Sequence, residues 1–353
     1  MKTISVIGQS NSIGKGLFVD QLKEKTGIRL INAARVGASP SVLAPYMAFS
    51  DAFFAGVDYC ILDLCIVDRY TLIDRSTNYL CICKWVEWIG HKARRNGCEP
   101  IFLLLPIEHA IDELSVLTLY EAIATFNGFF YLDARKLIKT MAAVRDCSTK
   151  ELYSDDMHVG LDVSTAIADE LEKFIATHEK RRYNERIVTV PLKQFEVISF
   201  AGLGQNEVNY RSCLMTFSGI RLHKDFVIRI STGEIEHVHA FMINASQSFR
   251  KLALDGNVRV IKNVNVRPHI SGSAMEARIV PICTPLRDRS GAISISIAGD
   301  DEPPTEPSMQ QLDIDLDTPA FVEIAGILVE TGTQMISYEA FVPSACEAAI
   351  LEA

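Results

Sequence analysis

Thr3-Ile4-Ser5-Val6-Ile7-Gly8-Gln9-Ser10-Asn11-Ser12 joins an apolar run to a small polar turn. Five residues suited to burial, followed by a glycine, read as a short strand ending in a sharp bend. Helical periodicity resumes over Gly14–Lys25. Ser10 therefore falls where a strand gives way to a helix. A turn there lifts a hydroxyl clear of the sheet, and the following helix N-terminus offers backbone N–H groups to a developing anion. Ser10 is thus a candidate nucleophile.

The same alternation continues outward from this stretch. Apolar runs at Arg29–Ile31, Tyr59–Val67, Ile101–Leu105 and Phe129–Leu132 read as strands. Leu80–Arg95, Ile111–Thr125 and Val163–His178 carry helical periodicity. Strands alternating with helices of this length predict a parallel sheet covered on both faces, with its site at the carboxyl ends of the strands. Trp85 and Trp88, three apart, read as helix packing. Charged His178–Arg186 reads as a linker. Beyond it come short β-like runs at Arg186–Pro191, Phe195–Phe200, Phe226–Ile230, Val258–Val264, Glu276–Val280, Ala292–Ala298 and Phe321–Val329. They predict an antiparallel β-sandwich over 186–353. Asp300–Ser308, with three prolines, reads as a mobile loop.

Length and composition set the limits. A chain of 353 residues is long enough for two domains. The net charge of −9 argues against a nucleic-acid or anionic-membrane partner and leaves a neutral sugar substrate open. Nine cysteines without CxxC spacing suggest a reducing, cytoplasmic protein with buried thiols at Cys60, Cys65, Cys213 and Cys283. Cys81 and Cys83 are poorly spaced for a zinc knuckle. No signal-peptide pattern is visible, and the apolar runs are too short to span a membrane. His237 and His239 could face one side of a strand, but no acid follows within Met242–Phe249 and His269 is distant. The expectation is an exposed sheet face, no metal and no cofactor. A phosphate loop is excluded, because five residues separate Gly8 from Gly14 and Gly16 stands where magnesium would need Ser or Thr.

Asp155-Asp156-Met157-His158 places a carboxylate three residues before a histidine, just ahead of the last helix of the first half. Asp155 can fix the tautomer of His158 and stabilise its charged form, while the other ring nitrogen faces a serine. Asp156 is the rival carboxylate, disfavoured by spacing. Asn32-Ala33-Ala34-Arg35-Val36-Gly37-Ala38-Ser39 follows the second strand.

These three blocks resemble those of the SGNH/GDSL hydrolase superfamily, over residues 1–178. The resemblance implies a three-layer, flavodoxin-like parallel sheet over 1–180. It also implies Ser10, Asp155 and His158 as catalytic residues, with the N–H groups of Ser10 and Gly37 holding the oxyanion. The third block departs from the family pattern, Gly-x-Asn-Asp. Here Cys65 stands for the glycine, Val67 for the asparagine, and only Asp68 fits. Valine has no donor, so Asn11, Arg69 and Asn78 are candidate substitutes. The implied activity is acyl transfer through an acyl-enzyme on Ser10, as a carbohydrate O-acyl esterase or O-acetyltransferase. The partners would be a small-molecule or glycan ester and, for transfer, an acyl donor. The C-terminal domain would be accessory or glycan-binding. The alternative is a catalytically impaired glycan-binding or scaffold protein.

Overall fold

The computed structural model describes residues 2–341, apart from 14–15, 27–28, 33–40, 113–114, 179–184, 205, 212–215, 231–234, 269–274, 288–291, 316 and 319. Most of the expected linker therefore lies outside the described residues, as do Cys213 and His269.

The first half alternates as the sequence implies. Its elements are β1 (Thr3–Ile7), α1 (Phe18–Thr26), β2 (Arg29–Asn32), α2 (Leu43–Ala48), β3 (Tyr59–Leu62) and α3 (Cys65–Ile73). They continue with α4 (Tyr79–Arg95), β4 (Glu99–Leu104), α5 (Ser115–Asn127), β5 (Phe130–Asp133), α6 (Ala134–Arg145) and α7 (Leu161–His178). The five strands are parallel in the order β2-β1-β3-β4-β5. All residues of β1 are buried, as expected of a strand covered on both faces. Ile7, Leu62, Phe102 and Leu104 point to one apolar cluster with α4 and α5. Ile4, Val6, Ile61, Ile101 and Leu103 point to another with α1, α6 and α7.

The expected strand Tyr59–Val67 is shorter than its apolar run. Asp63 N–H closes the pairing by donating to Ile7 O at 3.0 Å, and Cys65 then begins α3. A continuous apolar run fits either period, so its end could not be read from composition. α4 starts where Asn78 accepts from Cys81 N–H, and ends at Asn96-Gly97, where Gly97 has φ +73°.

The second half is antiparallel. Its strands are β6 (Glu185–Ser199), β7 (Glu207–Arg211), β8 (Thr216–His223), β9 (Ile228–Ile230), β10 (His237–Asn244) and β11 (Lys251–Asp255). β12 (Arg259–Asn263), β13 (Ala277–Pro281), β14 (Ile293–Ile297) and β15 (Phe321–Phe341) complete it. One sheet runs β13-β10-β15-β8-β7, with β6 also on β15; the other runs β12-β11-β14-β9. Both contribute to one apolar cluster, including Phe241 and Ile327 from the first sheet and Leu254 and Ile295 from the second. Asp300–Ser308 is irregular but fastened. Asp300 O accepts from Lys251 Nζ at 2.9 Å, and Glu306 pairs with the buried Lys262 at 3.0 Å.

One apolar cluster crosses between the halves, placing Trp85 and Trp88 of α4 against Phe195 of β6 and Ala240 of β10. Trp88 Nε1–H donates to Lys193 O at 2.8 Å. Trp85 Nε1–H reaches His239 Nδ1 at 3.4 Å, and His239 Nε2 lies 2.9 Å from Glu330 of β15. Glu330 is wholly buried and pairs with Lys84 and Lys193, each at 2.6 Å. Burial alone would raise the Glu330 carboxyl, but His239 and the two lysines carry it well below the usual range. Burial pushes His239 down to about 4, so it is neutral at pH 7. His239 is therefore not on an exposed sheet face, and both its nitrogens are engaged.

Candidate active site

Every expected catalytic side chain lies at the carboxyl edge of the parallel sheet, where the strand order changes direction between β1 and β3. Only glycine fits at position 8. A Cβ there would meet Ser12 Oγ at 2.5 Å and Asp63 Cβ at 3.0 Å. Beyond it, Ser10–Ser12 form one tight helical turn, closed by Ser12 N–H on Gln9 O at 2.9 Å. Gln9 Nε2 donates to Leu64 O at 3.0 Å, and Ser12 Oγ donates to Asp63 Oδ2 at 2.7 Å. These two bonds bind the turn to the end of β3. Asn11 and Ser12 are buried, while Ser10 remains partly open to solvent.

The histidine segment is built by local backbone bonds. Tyr153 and Val159 form a short bridge, Ser154 N–H donates to His158 O at 2.8 Å, and Gly160 N–H donates to Leu152 O at 2.7 Å. Asp155 Oδ1 accepts from Met157 N–H and His158 N–H, both at 2.8 Å. The carboxylate oxygens then sit 2.9 and 2.8 Å from His158 Nδ1, and His158 Nε2 sits 2.7 Å from Ser10 Oγ. A relay thus runs from carboxylate through imidazole to hydroxyl. It is consistent with Nδ1–H donating to Asp155 and Ser10 O–H donating to Nε2. Burial works to raise the Asp155 carboxyl, but hydrogen bonds from Met157 and His158 outweigh it and leave it below its ordinary value. It remains ionised at neutral pH.

Asn11 holds the two halves of this relay together. Its Nδ2 donates to Met157 O at 3.0 Å, and its Oδ1 accepts from Val159 N–H at 3.2 Å. The amide thereby grips the backbone on both sides of His158. The sequence marked Asn11 as a possible oxyanion donor; the structure instead commits its side chain to this clamp. Asn78, the second candidate, caps α4 through Cys81 N–H at 3.0 Å. Arg69, the third, lies beside Tyr70 on the rim of a small apolar pocket lined by Cys65, Ile66, Leu105 and Leu117. Gly37 lies outside the described residues. Val67 is buried on α3 and supplies no donor. Asp68 is wholly buried, accepting from Ser41 N–H at 2.7 Å and Tyr120 O–H at 2.6 Å, so it anchors the chain that follows the Gly37 segment.

Sequence reasoning missed Asp63. It is wholly buried beneath the Ser10 turn, and burial pushes its carboxyl up to about 6 even though Ser12 and Gln9 hydrogen-bond to it. Its Oδ1 has no partner. Its only sequence signal was a charged residue inside the apolar run Tyr59–Val67.

Among solved structures, a two-domain esterase active on acetylated mannans is similar at a TM-score of 0.60 and 10% identity, covering 94% of this chain and 91% of that one. The mannopentaose co-crystal of that esterase matches at 0.60 and 12%, over 94% and 90%. An acetylxylan esterase from Geobacillus stearothermophilus gives 0.40 and 13%, over 49% of this chain and 94% of its own. No protein-family model and no curated protein matches the sequence. The likeness along 94% of the chain shows that this protein shares the fold of that solved structure. Among the described residues, no helix is long and apolar enough to cross a membrane.

Proposed function

We propose that this chain is a serine-dependent carbohydrate O-acyl esterase of the SGNH type, working through an acyl-enzyme on Ser10. The observation that carries this reading is the Ser10–His158–Asp155 relay, at 2.7 and 2.8 Å, on the functional edge of the sheet. In it, His158 Nε2 takes the Ser10 proton as Oγ attacks the ester carbonyl. Asp155 orients the ring and stabilises the imidazolium. The tetrahedral oxyanion rests on the N–H groups of Ser10 and Gly37. His158 then protonates the leaving sugar oxygen, and the C–O bond breaks. Water attacking the acyl-enzyme completes hydrolysis, whereas a sugar hydroxyl completes O-acyl transfer.

We read residues 1–180 as a three-layer catalytic domain and 186–353 as a β-sandwich accessory domain. The fold of the mannan esterase supports acetylated polysaccharide as the substrate class. Val67 supports a second reading, a binding protein on an impaired esterase fold, since a missing oxyanion donor costs ~10²–10³ in rate.

One experiment separates them. The protein and Ser10→Ala are assayed on a panel of acetylated sugars, with and without a sugar acceptor, alongside fluorophosphonate labelling. Ester cleavage and labelling that both vanish in Ser10→Ala are expected. Activity surviving that substitution overturns the role of Ser10. Absence of labelling and turnover, with retained glycan binding, establishes the binding protein.

A further inference from the structure

We propose that a small cavity between α3 and the second half of the chain is a binding site for one halide ion, held by Arg278 and Ser308. The cavity measures about 20 Å³ and is lined by Thr71 of α3, Arg278 of β13, Ser308 and Met309, with Val266 and Val280 among its apolar walls. Arg278 is 2% exposed and Ser308 3%. Arg278 Nη1 and Ser308 Oγ are buried atoms with no hydrogen-bond partner among the described residues. The rest of each residue is fixed. Arg278 Nε donates to Glu276 Oε1 at 2.9 Å and Nη2 donates to Arg267 O, while Ser308 N–H donates to Gln311 Oε1 at 3.2 Å. Two anchored side chains thus bring their remaining donors to one small space.

Size and charge select the occupant. About 20 Å³ holds one particle the size of a water molecule, which admits chloride or bromide and excludes phosphate, sulfate and carboxylates. Arg278 Nη1 can only donate, and the Ser308 hydroxyl can donate beside it. Thr71 Oγ1 spends its own proton on Asp68 O at 3.0 Å. Burial pulls the Arg278 guanidinium below its ordinary value despite Glu276, so its charge is incompletely offset. An anion on Nη1 offsets the remainder and satisfies both donors at once. The neighbouring acids are already engaged. Glu306 pairs with Lys262 and accepts from Cys283 N–H and Thr284 N–H, and Asp68 accepts from Ser41 N–H and Tyr120 O–H. An ion here ties α3, which carries Val67 and Arg69, to the second half.

The test crystallises the full chain in sodium bromide and measures urea unfolding at matched ionic strength in chloride, bromide or gluconate, an anion too bulky for the cavity. An anomalous bromide peak within hydrogen-bond reach of Arg278 Nη1 and Ser308 Oγ is expected. Urea midpoints should rise with chloride or bromide and stay lower in gluconate. Ser308→Ala keeps the Arg278–Glu276 pair and should raise the halide concentration needed for half the effect by ~10-fold or more, through loss of one hydrogen bond to a charged group. Density at the site without anomalous signal would mean a water molecule and overturn the proposal. So would a bromide peak with equal midpoints in halide and gluconate, which is binding at crystal concentration only. A halide dependence unchanged in Ser308→Ala would place the ion elsewhere.

Discussion

Replacing Asn11 by alanine tests whether His158 is held in place by the clamp beneath it. The substitution removes two hydrogen bonds, of 3.0 Å to Met157 O and 3.2 Å from Val159 N–H. Val159 is buried, so its N–H is left without a partner, at about 1–3 kcal/mol. Met157 is only half-buried, and water can reach its carbonyl, so that loss is nearer ~1 kcal/mol. The expected destabilisation is ~2–4 kcal/mol by urea unfolding. The catalytic effect is separate. With its flanks released, His158 drifts from Ser10, and a displacement of about 1 Å costs roughly 10²-fold. Ester turnover should fall ~10–10²-fold in kcat with KM nearly unchanged, because the clamp does not face substrate. Fluorophosphonate labelling of Ser10 should slow in parallel. A variant within about twofold of the parent in kcat, although less stable, would show that His158 is held by its own turn alone. A raised KM at constant kcat would place Asn11 on the substrate instead.

Val67→Asn should raise kcat by at most about 10²-fold, read on the best ester, since a third oxyanion donor acts only as charge develops. No gain, with a large loss in Arg69→Ala, would assign the missing donor to Arg69. Asp63 supplies a pH signature: its folded carboxyl keeps a proton up to about pH 6, whereas an unfolded one releases it near pH ~4. Between those values the folded state binds more protons, so this group's contribution to stability falls as pH rises through the window and is fully lost above it. Asp63→Asn should therefore gain on the parent by up to ~3 kcal/mol between pH 4 and 7 in urea titrations, and an unchanged difference would refute the assignment. Glu330→Gln leaves Lys84 and Lys193 facing no charge and should cost ~2–4 kcal/mol, softened because both lysines reach solvent. The chain's two tryptophans sit at this interface, so fluorescence and far-UV dichroism should move together; fluorescence changing first would mean that the halves part before they unfold.

The parallel sheet was legible because its strands are buried on both faces and read as bare apolar runs. β1 matches its sequence reading from Thr3 to Ile7. α6 was not seen, since Ala134–Arg145 mixes basic and small residues, and what starts it is the Asp133 cap on Arg135 N–H. β15 was read only to Val329, because Gln334, Ser337 and their neighbours carry no apolar alternation, and pairing with β6 holds them extended. The side chains of Ser10, Asp155 and His158, which the structure brings together, could be singled out because their spacing is local or sits at a strand end. The clamp made by Asn11 was not foreseen, because an amide announces donors and acceptors but not where they are spent. The buried polar groups of the interface, neutral His239 and charged Glu330 above all, are invisible in sequence because each is stabilised by a partner remote along the chain.

β15 also governs the order in which the molecule can be completed. Residues 185–199 of β6 must wait for residues 326–341 before they are paired, and the intervening chain is all that the other strands are made from. At ~5–20 residues per second, a ribosome needs on the order of ten seconds to cross that gap. The α/β half can fold in the meantime, since each parallel strand pairs with a neighbour already made, but the face of α4 bearing Trp85 and Trp88 then has nothing to cover it. A nascent chain paused in this window presents an apolar helix face beside an unpaired strand, the combination that draws chaperones and invites misassembly. Arrival of β15 seals both at once, so the longest-range strand pairing among the described residues also closes this window of exposure.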